Sequence, residues 1–557
     1  MDIFEEFIRN HEQDDTARLL LGRSRWPDID MDLAVHTLEG RRRMRTKAPS
    51  WHSFYGLRYP TRLCTEQCSS EATARYKAAL ASRIVSSGPM FTVTSSSCPV
   101  PLQERGAAIA DLTGGLGLDT WAFATTLSSC PVDSVPSYPA GSSPSCPARP
   151  GIPPTVLHNE MNPDLSAAVR HNFAQLGLTN VTFRSMALAP GNLKEILAES
   201  LLPPDSHPSD TLEKRTPTEE TPDAFEPDLI YLDPARRATD GSKVFRLEDC
   251  QPDVLTLLPE LLSAAPHLLL KISPMADISL IVSQLNAAAH VLDKAPLERI
   301  PSAEEVSSDT PSVGRQVVRE VHIVGYEGEC KELLLWLHRS WNADYTLHVS
   351  EILDLNGTAK TLTFPAGCET AATPTYATSE DLDSSGIDAI SKGLDPAFRC
   401  GSTTDSISEA LLFEPGKALS KAGLYNTLSQ RYGLRKLSRH THLYLLPNTF
   451  RGIYKNNLME KPSDTTSGEV TESMFVHIEE LRPFGKIYQI LEVHELTSKL
   501  LKTLHKTWPA AEVTAKDLPL TSDQLRTRLK VRPSPNIHIF GCRIATPILL
   551  ITRVLPR

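Results

Sequence analysis

The chain alternates short, continuous apolar runs with longer segments whose apolar positions recur every three or four residues. "AAIAD" (107–111), "TVLH" (155–158), "VTF" (181–183), "DLIYL" (228–232) and "LLLKI" (268–272) have the length and composition of strands. Segments 119–127, 164–176, 254–262 and 278–286, which follow or separate them, carry the helical period. Runs apolar at every position suit strands buried on both faces. Strand–helix alternation predicts a parallel sheet covered by helices on both sides. Two further runs, "QVVREVHIVGY" and "KELLLWLH", flank Glu327-Gly-Glu-Cys330 and predict a closing antiparallel hairpin.

Residues 1–100 read differently. "FIRNHEQDDTARLLLG", "DMDLAVHTLEGRRRMRTK" and "SSEATARYKAALASRIV" predict helices, the last with Ser69-Ser70 as its N-cap and Glu71 in its first turn. Beyond about Asp344 the pattern becomes mixed α+β. Four Pro/Ser-rich or polar stretches, 128–154, 203–227, 301–314 and 366–408, interrupt it. Proline removes a backbone donor and small polar residues bury little, so these read as surface insertions or linkers, the last of them disordered. The expected domains are a helical one over 1–100, an α/β one over 101–343, and α+β ones over 344–475 and 476–557.

Composition changes this picture in three ways. No run approaches the ~20 apolar residues of a membrane helix, and "MDIFEEFIRNHEQDD" lacks the basic start of a secretory signal; a cytoplasmic protein without membrane contact is expected. Ten cysteines stand singly apart from Cys64 and Cys68, so neither a metal site nor a disulfide framework is expected. The net charge of −10 hides an asymmetry: residues 411–557 hold 22 Lys and Arg against 12 Asp and Glu. A basic third on an acidic body fits a nucleic-acid-binding appendage, and charge alone fits a solvated basic surface as well. In the lead-in, Arg41-Arg-Arg43 and Arg45 read as a solvated helix end ahead of an RNA contact.

The first strand runs into "DLTGGLGLDTWAFA", where Asp111 closes the strand and Thr113-Gly-Gly-Leu-Gly117 makes a turn into a helix. Glycines let backbone approach a ligand, and ligands bind outside the carboxyl ends of such strands. A dinucleotide fingerprint needs a third glycine where Thr120 stands. Asp111 and Asp119 flank the loop; they would repel a pyrophosphate but suit a cation such as the sulfonium and ammonium of S-adenosylmethionine. The second strand ends at Glu160, followed by Asn162, where an acid can hold a ribose hydroxyl pair. Asp111 and Glu160 are 49 residues apart; removing the 27 residues of 128–154 leaves 22, against the usual ~20 for such folds.

These stretches, together with "LHNEMNPDLSAAVRHNFAQLGL", "DLIYLDPARR" and "LLLKISPMADIS", resemble the class I S-adenosylmethionine-dependent methyltransferases. With "EQCSSEATARYKAAL", "GECKELLL", "FEPGKALSKAGLYN", "THLYLLPNTF" and "LTSDQLRTRLKV", the chain is similar to those carrying a THUMP-like C-terminal domain. The resemblance implies a Rossmann-like sheet, a ferredoxin-like region over 344–475 and a THUMP-like, RNA-binding domain over 476–557. It implies a methyltransferase using S-adenosylmethionine, with RNA as partner. Asp111, Thr113, Gly114, Gly115 and Gly117 would lie at the methionine end and Glu160 at the ribose, with Asp119 and Asn162 as further cofactor-binding candidates. The chain departs from the pattern at Arg184-Ser-Met186, where many such enzymes place an acid for the adenine, and at Lys516-Asp-Leu-Pro519.

The fourth strand ends in Asp233-Pro234-Ala235-Arg236-Arg237. In amino-group methyltransferases an acid or amide here accepts hydrogen bonds from the target amine and aligns it, and transfer needs mostly positioning and desolvation. Asp233, Pro234 and Arg236 are the candidate catalytic residues. The aromatic usual at the fourth position is missing. Uracil-C5 enzymes have a similar motif but need a placed cysteine, and "KISPMADIS" has none. Arg236 and Arg237 either clamp phosphate or pair with Asp233, Asp240 or Glu248. Lys271 is the further candidate for substrate contact, with Ser273 beside it. A nucleic-acid-binding protein with an idle methyltransferase fold, a methyltransferase of small molecules or proteins, and a nicotinamide oxidoreductase are the rival readings.

Overall fold

A computed structural model describes residues 2–87, 106–126, 154–198, 224–235, 247–289, 315–378, 410–446 and 479–556, together with Asp381 and four two-residue strand fragments. Most of the four stretches read as insertions therefore lies outside the described residues. Two compact units divide the chain: 1–326 with 331–348 and 352–363, and 364–557 with 327–330 and 349–351.

Side-chain caps set the helix starts of the lead-in. The first predicted helix is two, α1 (Ile3–Asn10) and α2 (Thr16–Leu21). The chain breaks there because the Asp15 carboxylate accepts from the amides of Ala17 and Arg18 at 2.9 and 3.1 Å, starting a new helix. Asp30 caps α3 (Met31–Lys47), and Ser70 caps α4 (Glu71–Ser86) by accepting from the Thr73 amide at 3.3 Å. Arg41 is not at a solvated helix end. It is fully buried, paired with Glu12 at 3.1 Å, and donates to the carbonyls of Phe54 and His52 at 2.7 and 2.9 Å. A guanidinium can be buried once its donors find such acceptors.

The following strands and helices alternate as the sequence predicts: β1 (Ala108–Asp111), α5 (Leu118–Thr126), β2 (Thr155–Asn159), α6 (Pro163–Gln175), β3 (Val181–Arg184), β4 (Leu229–Leu232), α7 (Val254–Ala264), β5 (His267–Ile272) and α8 (Ile278–Ala289). The hairpin follows as β6 (Val318–Tyr326) and β7 (Glu329–His338), then β8 (Thr346–Ile352) and β9 (Ala359–Pro365). All nine strands form one sheet in the order β3-β2-β1-β4-β5-β7-β6-β8-β9. The first five are parallel, and β7 lies antiparallel to β5. Every residue of β1, β4 and β5 is buried, which explains their unbroken apolar runs.

The lead-in helices share the core of this sheet. Trp51, fully buried, meets Trp121 and Phe173 edge-on, with ring centroids 6.1 and 6.3 Å away. Tyr59, Ile84, Ile109, Val156 and Trp336 belong to the same cluster.

The second unit is built on an eight-stranded sheet. Its elements are β10 (Thr375–Tyr376), β11 (Leu411–Pro415), α9 (Lys417–Lys421), α10 (Tyr425–Tyr432), β12 (Arg435–Lys436), β13 (Tyr444–Leu445), β14 (Gly485–Glu495), β15 (Glu512–Ala515), α11 (Ser522–Leu529), β16 (Ile537–Arg543) and β17 (Pro547–Val554). The strand order is β10-β12-β13-β11-β14-β17-β16-β15. The polar stretch read as a linker from about Ala366 begins with structure. A helical turn, Cys368–Ala371, precedes β10, and Glu369 accepts from the amides of Asn426 and Thr427 at 2.8 and 2.9 Å, covering the start of α10.

Trp51→Ala would remove a ring packed between the lead-in helices and the sheet. It should cost roughly 3–5 kcal/mol, read as an earlier transition in urea unfolding followed by circular dichroism.

Candidate active site

The chain leaves β1 toward β2 and β3, then returns on its other side as β4. Crevices open outside the carboxyl ends of parallel strands at such a reversal. The glycine loop after β1 and the Asp233 motif after β4 meet there. The Leu112 amide donates to the Tyr231 carbonyl at 3.2 Å, and the Asp233 amide donates to Thr113 Oγ1 at 2.6 Å. On the other side the Gly114 amide donates to the Asn159 carbonyl at 2.8 Å. The Asn159 side chain holds the carbonyls of Leu112 and Met186 at 3.2 and 2.9 Å, tying three strand ends together.

Steric limits explain the glycines. A Cβ on Gly114 would lie 2.1 Å from the His158 ring. Gly117 has φ +86°, and a Cβ there would meet Phe173 at 2.8 Å. Gly115 has φ +53°, and a Cβ there would meet the Thr113 carbonyl oxygen no closer than 4.0 Å, so its backbone conformation is what favours glycine.

Thr120, standing where a dinucleotide fingerprint has its third glycine, bridges two buried titratable groups. Its hydroxyl lies 2.6 Å from Asp111 Oδ2 and 2.8 Å from His158 Nδ1. Burial pushes the Asp111 carboxyl up to about 7, against the lowering effect of the Thr120 hydrogen bond. Burial likewise pushes His158 down to about 3, so its imidazole is neutral. Glu160 spans the loop and the next helix, accepting from the amides of Gly115 and Asn162 at 3.0 and 2.8 Å. Asn162 caps α6 by accepting from the Leu165 amide at 3.0 Å.

Asp233 belongs to a network of ion pairs. Leu232 stands opposite Leu270, which brings the next residues, Asp233 and Lys271, side by side. Lys271 Nζ lies 2.5 Å from Asp233 Oδ2 and 3.9 Å from Glu332 Oε2. Glu332, on β7, also meets Lys77 of α4 at 3.3 Å. Lys77 reaches Asp119 at 2.9 Å and donates to Ser69 Oγ at 2.6 Å. The Ser69 and Tyr231 hydroxyls both donate to Asp119 Oδ2 at 2.9 Å. Burial opposes the Asp119 charge, but Lys77 and Lys271 outweigh it and hold the carboxyl below its ordinary value. Burial also opposes the Lys271 charge, yet Asp233, Glu332 and Asp119 hold the ammonium above its usual range. Burial keeps the Glu332 carboxyl high despite both lysines.

Of the residues singled out in the sequence, Asp111, Thr113, Gly114, Gly115, Gly117, Asp119, Glu160, Asn162, Asp233, Pro234 and Lys271 all stand at these strand ends. Arg236 and Arg237 lie outside the described residues. Pro234 is buried, while the Asp233 side chain is 28% exposed. Arg184, at the departure from the family pattern, donates to the carbonyls of Phe183 and Ala198 at 3.0 and 2.6 Å. Sequence reasoning missed His158, Ser69, Lys77 and Glu332. For Lys77 a signal existed: it is a charged residue on a helix face it shares with Ala74, Ala78, Leu80, Ala81 and Ile84, all buried.

The Asp111 environment generates a pH prediction. A carboxyl whose folded pKa is raised contributes stability that is fully present below its unfolded value, about 4, and is lost as pH rises through about 7. Asp111→Asn keeps a neutral group at this position. The stability of the wild type relative to this variant should therefore fall between about pH 4 and pH 7, by at most roughly 4 kcal/mol. Urea midpoints of both proteins across that range measure it.

Comparisons with known proteins bear on the fold. Residues 411–450 match a family described as a ferredoxin-like domain, and residues 485–553 one described as THUMP domain-like. A search of curated proteins returns no match. Among solved structures, a candidate methyltransferase from Porphyromonas gingivalis W83 is similar over 99% of this chain and 98% of its own, with 22% identity and a TM-score of 0.61. A candidate class I S-adenosylmethionine-dependent methyltransferase from Listeria monocytogenes overlaps 63% of this chain and 94% of its own, with 8% identity and a TM-score of 0.29, a likeness too slight to carry weight. The fold is thus mixed α/β and shared along its whole length with the P. gingivalis protein, with ferredoxin-like and THUMP-like domains in its C-terminal region.

Proposed function

We propose that this chain is an S-adenosylmethionine-dependent methyltransferase that modifies a base in RNA, tRNA or rRNA. The observation that carries the reading is the hydrogen bond from the Asp233 amide to Thr113 Oγ1, 2.6 Å long. It locks a glycine loop suited to a cofactor against a carboxylate suited to a target amine. The donor set fits a cationic ligand. Asp111, Asp119, Glu160, Asp233 and Glu332 outnumber Lys77 and Lys271, and a cation beside Asp111 would favour its ionised form.

Asp111, Thr113, Gly114, Gly115 and Gly117 would hold the methionine end of S-adenosylmethionine, and Glu160 the ribose. Asp119 acts behind them, through Lys77. When bound, S-adenosylmethionine supplies an electrophilic methyl group on its sulfonium. Asp233 would accept a hydrogen bond from the target amine and orient its lone pair, while Lys271 fixes the carboxylate from the opposite side. Pro234, buried and without an amide hydrogen, leaves the backbone there as an acceptor only. The basic C-terminal third would bind the RNA backbone, and a cytoplasmic location suits that substrate. Among the described residues no helix is long and apolar enough to cross a membrane.

One observation favours a second reading, an RNA-binding protein whose methyltransferase fold is idle. Lys271 holds Asp233 at 2.5 Å, as a purely structural partner would. Two measurements separate the readings. Calorimetric titration with S-adenosylmethionine should show binding that Asp111→Ala abolishes. Mass spectrometry of nucleosides from total RNA, with and without the gene, should show one methylated nucleoside lost in its absence. Restoring the gene with Asp233→Ala should lower that nucleoside's rate of formation about a hundredfold or more. No change between strains would favour the idle reading or a substrate other than RNA; full methylation by Asp233→Ala would remove Asp233 from the chemistry.

A further inference from the structure

Strand β6 carries Glu320 and His322 two residues apart, hence on one face of the sheet. The neighbouring strand β8 brings His348 to the same place. All three side chains are buried. His322 Nε2 lies 2.9 Å and His348 Nε2 3.4 Å from one oxygen, Glu320 Oε2. Among the described residues this is the one group of three or more His, Cys, Asp or Glu whose ligand atoms converge, all within 4.8 Å of one another. We propose that Glu320, His322 and His348 bind a divalent transition-metal ion, zinc(II) by the character of the ligands.

Three observations support this. Zinc–nitrogen bonds of 2.0–2.1 Å in a tetrahedron separate the ligand atoms by roughly 3.4 Å, near the 2.9 and 3.4 Å from each Nε2 to the carboxylate, and a tilt of one of the two stacked rings would aim both nitrogens at one ion. Both ring nitrogens that would face the ion are Nε2, and both Nδ1 atoms are held from behind. His322 Nδ1 lies 3.2 Å from the Tyr76 hydroxyl and His348 Nδ1 3.1 Å from Thr363 Oγ1. Outer partners of this kind orient metal-ligating histidines and fix their tautomer. The His348 ring, about 95% buried, aims Nε2 at the carboxylate yet makes no hydrogen bond with it.

A cation already shares this carboxylate. Arg83, on the same face of α4 as Tyr76, donates to both oxygens of Glu320, at 3.0 and 2.5 Å. One carboxylate cannot balance a guanidinium and a divalent ion together in a buried site. The Arg83 side chain is one-third exposed near the C-terminal end of α4 and can turn outward. Arg83 Nη2 also lies 3.4 Å from His322 Nε2, so the ion and the guanidinium compete for Glu320 and for that nitrogen, and His348 Nε2 is left to the ion. Two histidines and a glutamate leave a fourth coordination position for water.

The test uses the full chain stripped with a chelator and titrated with cobalt(II) by absorbance and zinc(II) by calorimetry. One ion per chain should bind with micromolar or tighter affinity. The cobalt spectrum should show nitrogen and oxygen ligands without a thiolate charge-transfer band, which excludes the cysteines. His348→Ala should weaken binding at least tenfold, and Arg83→Ala should tighten it. If His348→Ala fails to fold by circular dichroism, Arg83→Ala decides: unchanged or weaker affinity overturns the proposal. So do absence of saturable binding, a thiolate band, or equal affinity in a folded His348→Ala protein. None of these outcomes depends on methyl transfer.

Discussion

Lys77 carries its charge with no exposed surface, and the carboxyl end of the sheet is arranged so that it can. Burying an ammonium costs several kcal/mol unless carboxylates and hydroxyls replace its water. Asp119 and Glu332 supply the charges, and Ser69 supplies an acceptor. Those two acids in turn need Lys77, and Glu332 needs Lys271, which brings in Asp233. The chain of pairs runs from a lead-in helix, through the helix behind the glycine loop, to three strands. Each lysine faces two carboxylates, and loss of Lys77 leaves the buried Asp119 without an ion-pair partner. That dependence makes the helical lead-in part of the site rather than an appendage to it.

The same dependence sets how rigid the crevice is. The glycine loop is held by the backbone of β2 on one side and of the Asp233 motif on the other. Its glycines are dictated at least as much by crowding as by a ligand. Gly114 yields to His158 and Gly117 to Phe173. Thr120 then does what a third glycine could not, placing a hydroxyl between Asp111 and His158. Such preorganisation is what methyl transfer, a reaction of alignment, would use.

The middle of the sheet was legible in the sequence because β1, β4 and β5 are buried on both faces and therefore almost wholly apolar. The glycine loop and the motif after β4 were legible because local residue chemistry marks strand ends. Subtracting one Pro/Ser-rich stretch restored the loop-to-acid spacing and identified Glu160. What stayed hidden is pairing over distance. Lys77 and Glu332 are 255 residues apart, and no local pattern announces their contact. Arg41 misled for a related reason: three arginines in a row signal solvent, while its partner Glu12 sits 29 residues earlier. Asp15 breaks the first helix through a cap that its apolar periodicity conceals. The arginines after Pro234 fall outside the described residues, so the geometry speaks for the carboxylate of that motif and not for its cations.

In the second unit, β11 of the ferredoxin-like stretch pairs along its whole length with β14 of the THUMP-like stretch, from Leu411 opposite Gln489 to Pro415 opposite Gly485. Two segments that sequence families treat as separate thus share one hydrogen-bonded ladder. Cutting the gene between them would expose a bare edge on each fragment, and bare edges recruit other chains. The pair is therefore to be moved between proteins as one piece.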